Sequence, residues 1–302
     1  MMNSSLYSEY IDLELLSRLP SLEIQAKFLV AGFLNGLHRS PYKGYNVEFK
    51  EYRAYQPGDE PKLIDWKAYA RSDRLNVKLH EEETNLQTFL LVDRSKSMDY
   101  KSERAYFSKW EYARALTAAL TMFLFKQKDA VGMGIIDGGT FNFMKPSLKL
   151  SHYRLMMSAL HKKPQGGKCS MTGGLSILKN LVKPRSIIIL FSDFYEDLDK
   201  LEKALNYFSF KHCEVLLFHI LDPVEADFKF EDPLLLQELE GGEKLTLSPD
   251  LIRKDYLKAM NAHKDKLKKI VHQIRGDFIE ITSETPPLEI LSAYLAKRKG
   301  MM

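Results

Sequence analysis

The sequence predicts a doubly wound α/β protein: a mostly parallel sheet covered by helices on both faces, with one antiparallel edge strand. Three observations predict it. From about residue 86 onward, short apolar runs alternate with longer helix-like segments. Those runs are continuous in apolar residues rather than alternating, the pattern of strands buried on both faces. And the pair Gly138-Gly139 joins two strand-like runs directly, a hairpin signal in a chain otherwise connected by crossovers.

Taken in order, TFLLVD (88–93) has strand length and bulky apolar residues, and KWEYARALTAALTMFLFKQ (109–127) is apolar on most faces, as a helix packed on a sheet requires. AVGMGIID (130–137) and TFNFMKP (140–146) are the two arms of the hairpin. SHYRLMMSALHKK (151–163) is a helix, PQGGKCSMTGG a loop and LSILKNLV (175–182) a second helix. SIIILFSD (186–193) is a buried strand, DLDKLEKALNYFSF (197–210) an amphipathic helix, and CEVLLFHILD (213–222) another buried strand, with His219 a core histidine. A less regular stretch follows, with edge strands expected near 234–239 and 244–247. PDLIRKDYLKAMNAHKDKLKKIVHQIRG makes a long helix stopped at Gly276, before a last strand, DFIEITSE (277–284), and a last helix, PPLEILSAYLAKRKG (286–300).

Residues 1–85 read as a separate segment packed on the main domain of residues 86–302. IDLELLSRLPSLEIQAKFLVAGFL is one or two short helices broken at Pro20. After Gly36 the text becomes loops and short extended pieces, dense in Tyr, Arg, Asp, Pro and Gly.

Bulk composition narrows the function classes. The 302 residues are 45% hydrophobic and 28% charged, ordinary values for a folded protein. The net charge of +4 is small and basic residues are interleaved with acidic ones, which argues against nucleic acid. Two cysteines, Cys169 and Cys213, form neither a disulfide framework nor a metal spacing. The opening MMNSSLYSEYIDLELL lacks a basic region followed by an apolar core, so no signal peptide is expected. No apolar run approaches the roughly 20 residues that span a bilayer. The expected location is the cytoplasm.

In an open α/β sheet, ligands bind beyond the carboxyl ends of the strands, where the strand order reverses. Asp93 ends the first strand, Asp193 ends SIIILFSD, and Thr172 sits in the loop leading to the helix before that strand. If the first and fourth strands are neighbours, Asp93, Ser95, Ser97, Thr172 and Asp193 converge at one end of the sheet. All five present oxygen. Such donors suit Mg²⁺, which takes an octahedral shell at about 2.1 Å and keeps waters; Mn²⁺ and Ca²⁺ are the second choices. Within FLLVDRSKSMDY (89–100), an extended or turn-like path puts Asp93, Ser95 and Ser97 on one side and turns Arg94 and Lys96 away. By itself this cluster is equally an ordinary turn.

A nucleophile at Ser95 or Ser97 needs a base in reach, and the histidines fall away from these loops. There is no Gly-x-Ser-x-Gly elbow. GGKCS (166–170) fails as a phosphate loop, because Lys162 and Cys169 stand where Gly and Ser or Thr are required. The expectation is a protein that is not an enzyme.

FLLVDRSKSM, the Thr172-Gly173-Gly174 loop and LFSDF resemble the metal-ion-dependent adhesion site of von Willebrand factor A domains. That resemblance assigns Asp93, Ser95, Ser97, Thr172 and Asp193 as metal ligands. The usual Thr-Asp-Gly of those domains is here Ser192-Asp193-Phe194, which keeps the ligand and departs in the loop. HRSPYKGYNVEFKEYRAYQPGDEPKLIDWKAYARSDRLNVKLHEEE resembles the signature of the bacterial domain-of-unknown-function 58 family, through Gly44, Glu48-Phe49, Arg53-x-Tyr55, Pro57-Gly58-Asp59, Ile64-Asp65-Trp66-Lys67 and Ala70-Arg71. There this segment precedes a von Willebrand A-like domain, and members are associated with MoxR-type AAA+ ATPases.

The resemblance implies a non-enzymatic module that binds a protein partner through a divalent cation, the partner supplying an Asp or Glu. It would work with a MoxR-type AAA+ ATPase in assembly or maturation of a client complex. Arg53, Asp59, Asp65, Trp66 and Arg71 then form a docking surface for ATPase or client, or else serve only the segment's own packing and ion pairs. The competing expectations are a metal-dependent hydrolase and a scaffold with an empty metal site.

Overall fold

The computed structural model describes residues 13–39, 52–54, 69, 76–78, 87–164, 170–230, 234–237, 244–247, 249–291 and 294. The chain divides into two units, one of Met1–Arg39 with Leu86–Met302 and the other of Ser40–Asn85. The first two helices belong to the same unit as residues 86–302, not to the loop-rich stretch that follows them. These are α1 (Leu13–Arg18) and α2 (Leu22–Arg39), separated at Pro20. Leu22, Ala26, Leu29 and Val30 recur at helical spacing and are buried in the same core as Leu16. Gln25 Nε2 donates to the Leu16 carbonyl across the break, at 3.1 Å. In the second unit, β1 (Tyr52–Ala54) and β2 (Asn76–Lys78) pair as an antiparallel ribbon.

The main sheet has six strands: β3 (Gln87–Asp93), β4 (Ala130–Asp137), β5 (Thr140–Ser147), β6 (Ile187–Ser192), β7 (Glu214–Leu221) and, last in the chain, β10 (Asp277–Thr282). Their order is β10-β7-β6-β3-β4-β5. All neighbours are parallel except β4 and β5. That pair is the predicted hairpin. Gly138 and Gly139 take φ of 52° and 82° between the paired Asp137 and Thr140, the two left-handed positions a tight primed turn demands. The less regular stretch makes β8 (Leu234–Gln237) and β9 (Lys244–Leu247), which pair with each other in a ribbon of their own rather than extending the main sheet.

Side-chain alternation along the buried strands divides the interior into two cores. Leu90 and Val92 of β3 face one side, with α1, α2, α3 (Lys109–Lys126) and α4 (Leu150–Leu160). Phe89 and Leu91 face the other, with α5 (Met171–Leu178), α6 (Leu198–Phe210) and, beyond the short α7 (Pro223–Asp227), the long α8 (Pro249–Gln273). The outcome is the predicted three-layer, doubly wound arrangement. Among the described residues no helix is long and apolar enough to cross a membrane.

One consequence of the strand order positions the site. From β3 the chain moves to β4 and β5 on one side, then returns to place β6 on the other. The carboxyl ends of β3 and β6 therefore flank the switch point, the usual ligand crevice of such sheets. Register holds them level, with Val92 opposite Phe191 and Asp93 opposite Ile136 of β4.

Candidate cation site at the switch point

The segment leaving β3 is a turn, not an extended strand. Asp93 Oδ1 accepts from the Ser95 N–H at 2.8 Å, an Asx turn. A single 3₁₀ turn then spans Ser97–Asp99, anchored by the wholly buried Met98. This folding brings Ser95 Oγ within 2.9 Å of Ser97 Oγ. Lys96 is exposed, whereas Arg94 turns inward. It is buried against Asp137 (Nη2 to Oδ2, 2.9 Å) and donates to the Ala159 carbonyl at 3.2 Å. Arg94 thus clamps the turn to β4 and the end of α4, a role its place between two candidate ligands did not announce.

At the end of β6, Ser192 Oγ donates to Asp93 Oδ2 at 2.6 Å and accepts from the Phe194 N–H at 2.9 Å. The two strand ends are tied by this hydroxyl. Phe194 has φ of 53°, the left-handed conformation that glycine would take without strain, so the loop keeps its turn despite the departure in sequence. Its ring is buried in the core beside Leu198. Asp193 is buried as well, and its carbonyl is bonded to His219 Nε2 at 3.1 Å. Burial and the neighbouring His263 push His219 down to about 4, which keeps this core histidine neutral near pH 7.

Asp193 Oδ2 accepts from Lys109 Nζ at 2.8 Å, and the same ammonium donates to Glu225 Oε1 at 2.7 Å. Lys109 has no exposed surface. Burial opposes its charge, but the carboxylates of Asp193 and Glu225 outweigh that, and its pKa lies above the ordinary lysine value. Sequence reasoning missed this residue. One signal was legible: Ser108 and Glu111 form a capping box, which puts Lys109 at the first position of α3, where the helix dipole disfavours a cation.

Thr172 enters from α5, whose N-cap Ser170 accepts from the Gly173 N–H. The Thr172 N–H donates to both oxygens of Glu196, three residues beyond Asp193, at 3.3 Å, and Ser170 Oγ donates to Glu196 Oε2 at 3.1 Å. Burial raises the Glu196 pKa in this position. The Thr172 hydroxyl itself is buried without a hydrogen-bond partner of ordinary geometry among the described residues. Helix α5 can come this close to the sheet because residue 174 is Gly; a Cβ there would lie 2.7 Å from Ile136 Cδ1.

The structure therefore puts Asp93, Ser95 and Ser97 on one turn, joins Asp93 to the Asp193 loop through Ser192, and links Thr172 to that loop through Glu196. Asp193 and Asp93 repel each other electrostatically. Two features of the constellation suit a hard divalent cation: paired buried carboxylates with one counter-charge on Asp193, and the adjacent Ser95 and Ser97 hydroxyls. Among the described residues no three His, Cys, Asp or Glu side chains form a metal-binding group, and the donors here are two carboxylates supplemented by hydroxyls. Of the candidate docking residues, Arg53 lies in β1, where it pairs with Val77. Asp59, Asp65, Trp66 and Arg71 lie outside the described residues.

Burial, and secondarily the charge of Asp193, pushes Asp93 up from 3.8 to about 6, against hydrogen bonds from Ser192 and Ser95. Between those values the folded protein holds a proton that the unfolded chain has released. Metal-free stability should therefore fall as pH rises across that window, and stay reduced above it. Urea unfolding in chelator from about pH 4 to 7 checks this. The decline should be present in the native chain and absent from Asp93→Asn; parallel profiles would contradict the burial argument.

A three-layer α/β domain with this strand order and an Asp-x-Ser-x-Ser turn at its switch point is a von Willebrand A-like domain. The chain belongs to the family described as "Protein of unknown function DUF58", whose profile matches residues 51–266. Uncharacterized proteins of Mycobacterium tuberculosis and Mycobacterium bovis are each 25% identical over 300 residues, covering 98% of this chain and 93% of theirs. Among solved structures, the conserved hypothetical protein BatB from Bacteroides thetaiotaomicron is similar at 16% identity and a TM-score of 0.48, over 70% of this chain and 98% of that one. The SpRpn10 VWA domain is similar at 15% and 0.40, over 70% and 94%.

Proposed function

We propose that this protein is a non-catalytic interaction module that captures a protein partner through a divalent cation, Mg²⁺ in the first instance. Asp93, Ser95, Ser97, Thr172 and Asp193 would hold it. The observation that carries this reading is the pair of buried, mutually repelling carboxylates of Asp93 and Asp193 beside the paired Ser95 and Ser97 hydroxyls.

When bound, the cation supplies a Lewis-acidic point that accepts a carboxylate from outside. The chain's own residues do the rest. Ser192 and the Ser95 N–H aim the Asp93 carboxylate, the 3₁₀ turn presents Ser97, and Lys109 holds one oxygen of Asp193. Following the family resemblance, the partner is a MoxR-type AAA+ ATPase or its client in the cytoplasm, presenting an Asp or Glu.

Asp93→Ala should weaken Mg²⁺ and Mn²⁺ binding by about 100-fold or more in calorimetric titration, with the fold retained, since ligand loss exceeds the 10–100-fold cost of losing an outer partner. Co-purification of an AAA+ ATPase with the wild type should be lost in EDTA and with Asp93→Ala. Unchanged divalent affinity, or capture indifferent to chelator, would overturn the reading.

A further inference from the structure

In the proposed function Lys109 does no more than hold one oxygen of Asp193, yet its placement is costly. It is a lysine with no exposed surface, at the first position of a helix, where the dipole works against it. Its ammonium bridges two carboxylates from different elements, Asp193 after β6 and Glu225 in α7, and lies 5.1 Å from the Tyr195 ring centroid. Glu225 is itself held, its Oε2 accepting from the Asp222 N–H at 2.9 Å in the capping box of α7. One charge therefore pins α3, α7 and the Asp193 loop together.

Counting charge shows what the ammonium does. Asp93 and Asp193 are buried carboxylates that repel each other, Glu225 is half-buried, and the Lys109 ammonium is seated between Asp193 and Glu225. Without the ammonium those carboxylates would lose their counter-charge, a destabilisation that a bound divalent cation would offset. With the ammonium in place, Asp193 Oδ2 is satisfied, while Oδ1 has a long 3.5 Å contact from the Tyr195 N–H. Like charges repel, so the same ammonium lowers the affinity of any divalent cation next to Asp193.

We propose that Lys109 is a resident counter-ion that frees the fold from metal and sets the divalent affinity of the site low enough for the metal to exchange. The inference rests on the cation reading above and specifies how that site is regulated. It separates Lys109 from a merely structural ion pair, because removing a structural pair loosens the site and never tightens its ligand.

The test measures Mn²⁺ binding by titration, and melting in chelator and in excess Mg²⁺, for wild type, Lys109→Met and Glu225→Gln. Lys109→Met should bind Mn²⁺ at least about tenfold more tightly than wild type. It should melt about 5 °C or more lower than wild type in chelator and recover most of that loss in Mg²⁺, a rise larger than the one Mg²⁺ gives the more weakly binding wild type. Glu225→Gln should bind Mn²⁺ more weakly than wild type, because the ammonium then bears on Asp193 alone. If Lys109→Met does not fold without metal, the double variant Lys109→Met/Glu225→Gln, which removes a carboxylate with the ammonium, is compared with Glu225→Gln and should bind more tightly. Wild-type binding with no tightening in either Lys109 variant overturns the counter-ion role and leaves the cation site standing. No Mn²⁺ binding by any variant overturns both.

Discussion

Arg94→Met should cost the fold about 3–5 kcal/mol in urea unfolding, the loss expected when one partner of a buried ion pair is removed. Arg94 Nε and Nη2 both reach Asp137 Oδ2, at 3.0 and 2.9 Å, and both side chains are almost wholly buried. Nη1 caps the Ala159 carbonyl near the end of α4, where a cation also opposes the negative end of the helix dipole. The guanidinium carbon lies 5.8 Å from the Trp110 ring centroid. Arg94→Lys should recover only part of the loss, since an ammonium lacks the planar fork that meets Asp137 through two N–H groups while a third reaches the Ala159 carbonyl. Arg94→Met combined with Asp137→Leu should cost less than Arg94→Met alone, because the buried carboxylate that loses its guanidinium is then removed as well. A loss below about 1 kcal/mol for Arg94→Met, or additivity of the two changes, would show that the pair does not organise the turn.

Phe194 offers the second large effect and a sharper control. Phe194→Ala should destabilise by about 3–5 kcal/mol, the usual range for emptying a buried aromatic site. The ring is 1% exposed and sits in the core with Leu198 and Leu201. Phe194→Gly removes the same ring and also relieves the left-handed backbone, worth about 1–2 kcal/mol. The glycine variant should therefore be more stable than the alanine variant by about that difference, although glycine is normally the worse residue for conformational entropy. Equal or reversed stabilities in thermal melts would show that φ of 53° at this position carries no strain. The comparison also explains the departure from Thr-Asp-Gly: the chain accepts local strain in return for a core aromatic.

Much of this fold could be read from the chain. The strands at 87–93, 130–137, 187–192 and 214–221 and most helices between them fall within three residues of expectation, because their signals are continuous apolar runs and helical periodicity. The helix expected at 175–182 instead begins at Met171 and takes in Thr172, Gly173 and Gly174, which read as loop, because Ser170 caps it. The hairpin followed from two glycines. The N-terminal boundary did not follow. Residues 13–39 look like part of a separate segment because a loop-rich stretch succeeds them, yet the apolar stripe of α2 completes the core beside α3. The edge strands expected at 234–239 and 244–247 find each other instead of the sheet, since pairing partners are chosen in space and not by strand propensity.

The candidate site divides along the same line. Asp93, Ser95, Ser97, Thr172 and Asp193 were legible because hard oxygen donors at strand ends have a recognisable type and spacing. Their keepers were not. Ser192 ties Asp93 to the neighbouring strand across 99 residues, Lys109 reaches Asp193 across 84 and Glu225 across 116, and Glu196 receives Thr172 from 24 residues away. By itself the sequence determined the layers, the turn and the oxygen donors, all properties of residues close in the chain. Only the tertiary structure decided which charges meet. A lysine is exposed and solvated by default, and it becomes a buried counter-ion only where the topology seals it between two carboxylates and removes the water that would otherwise screen them.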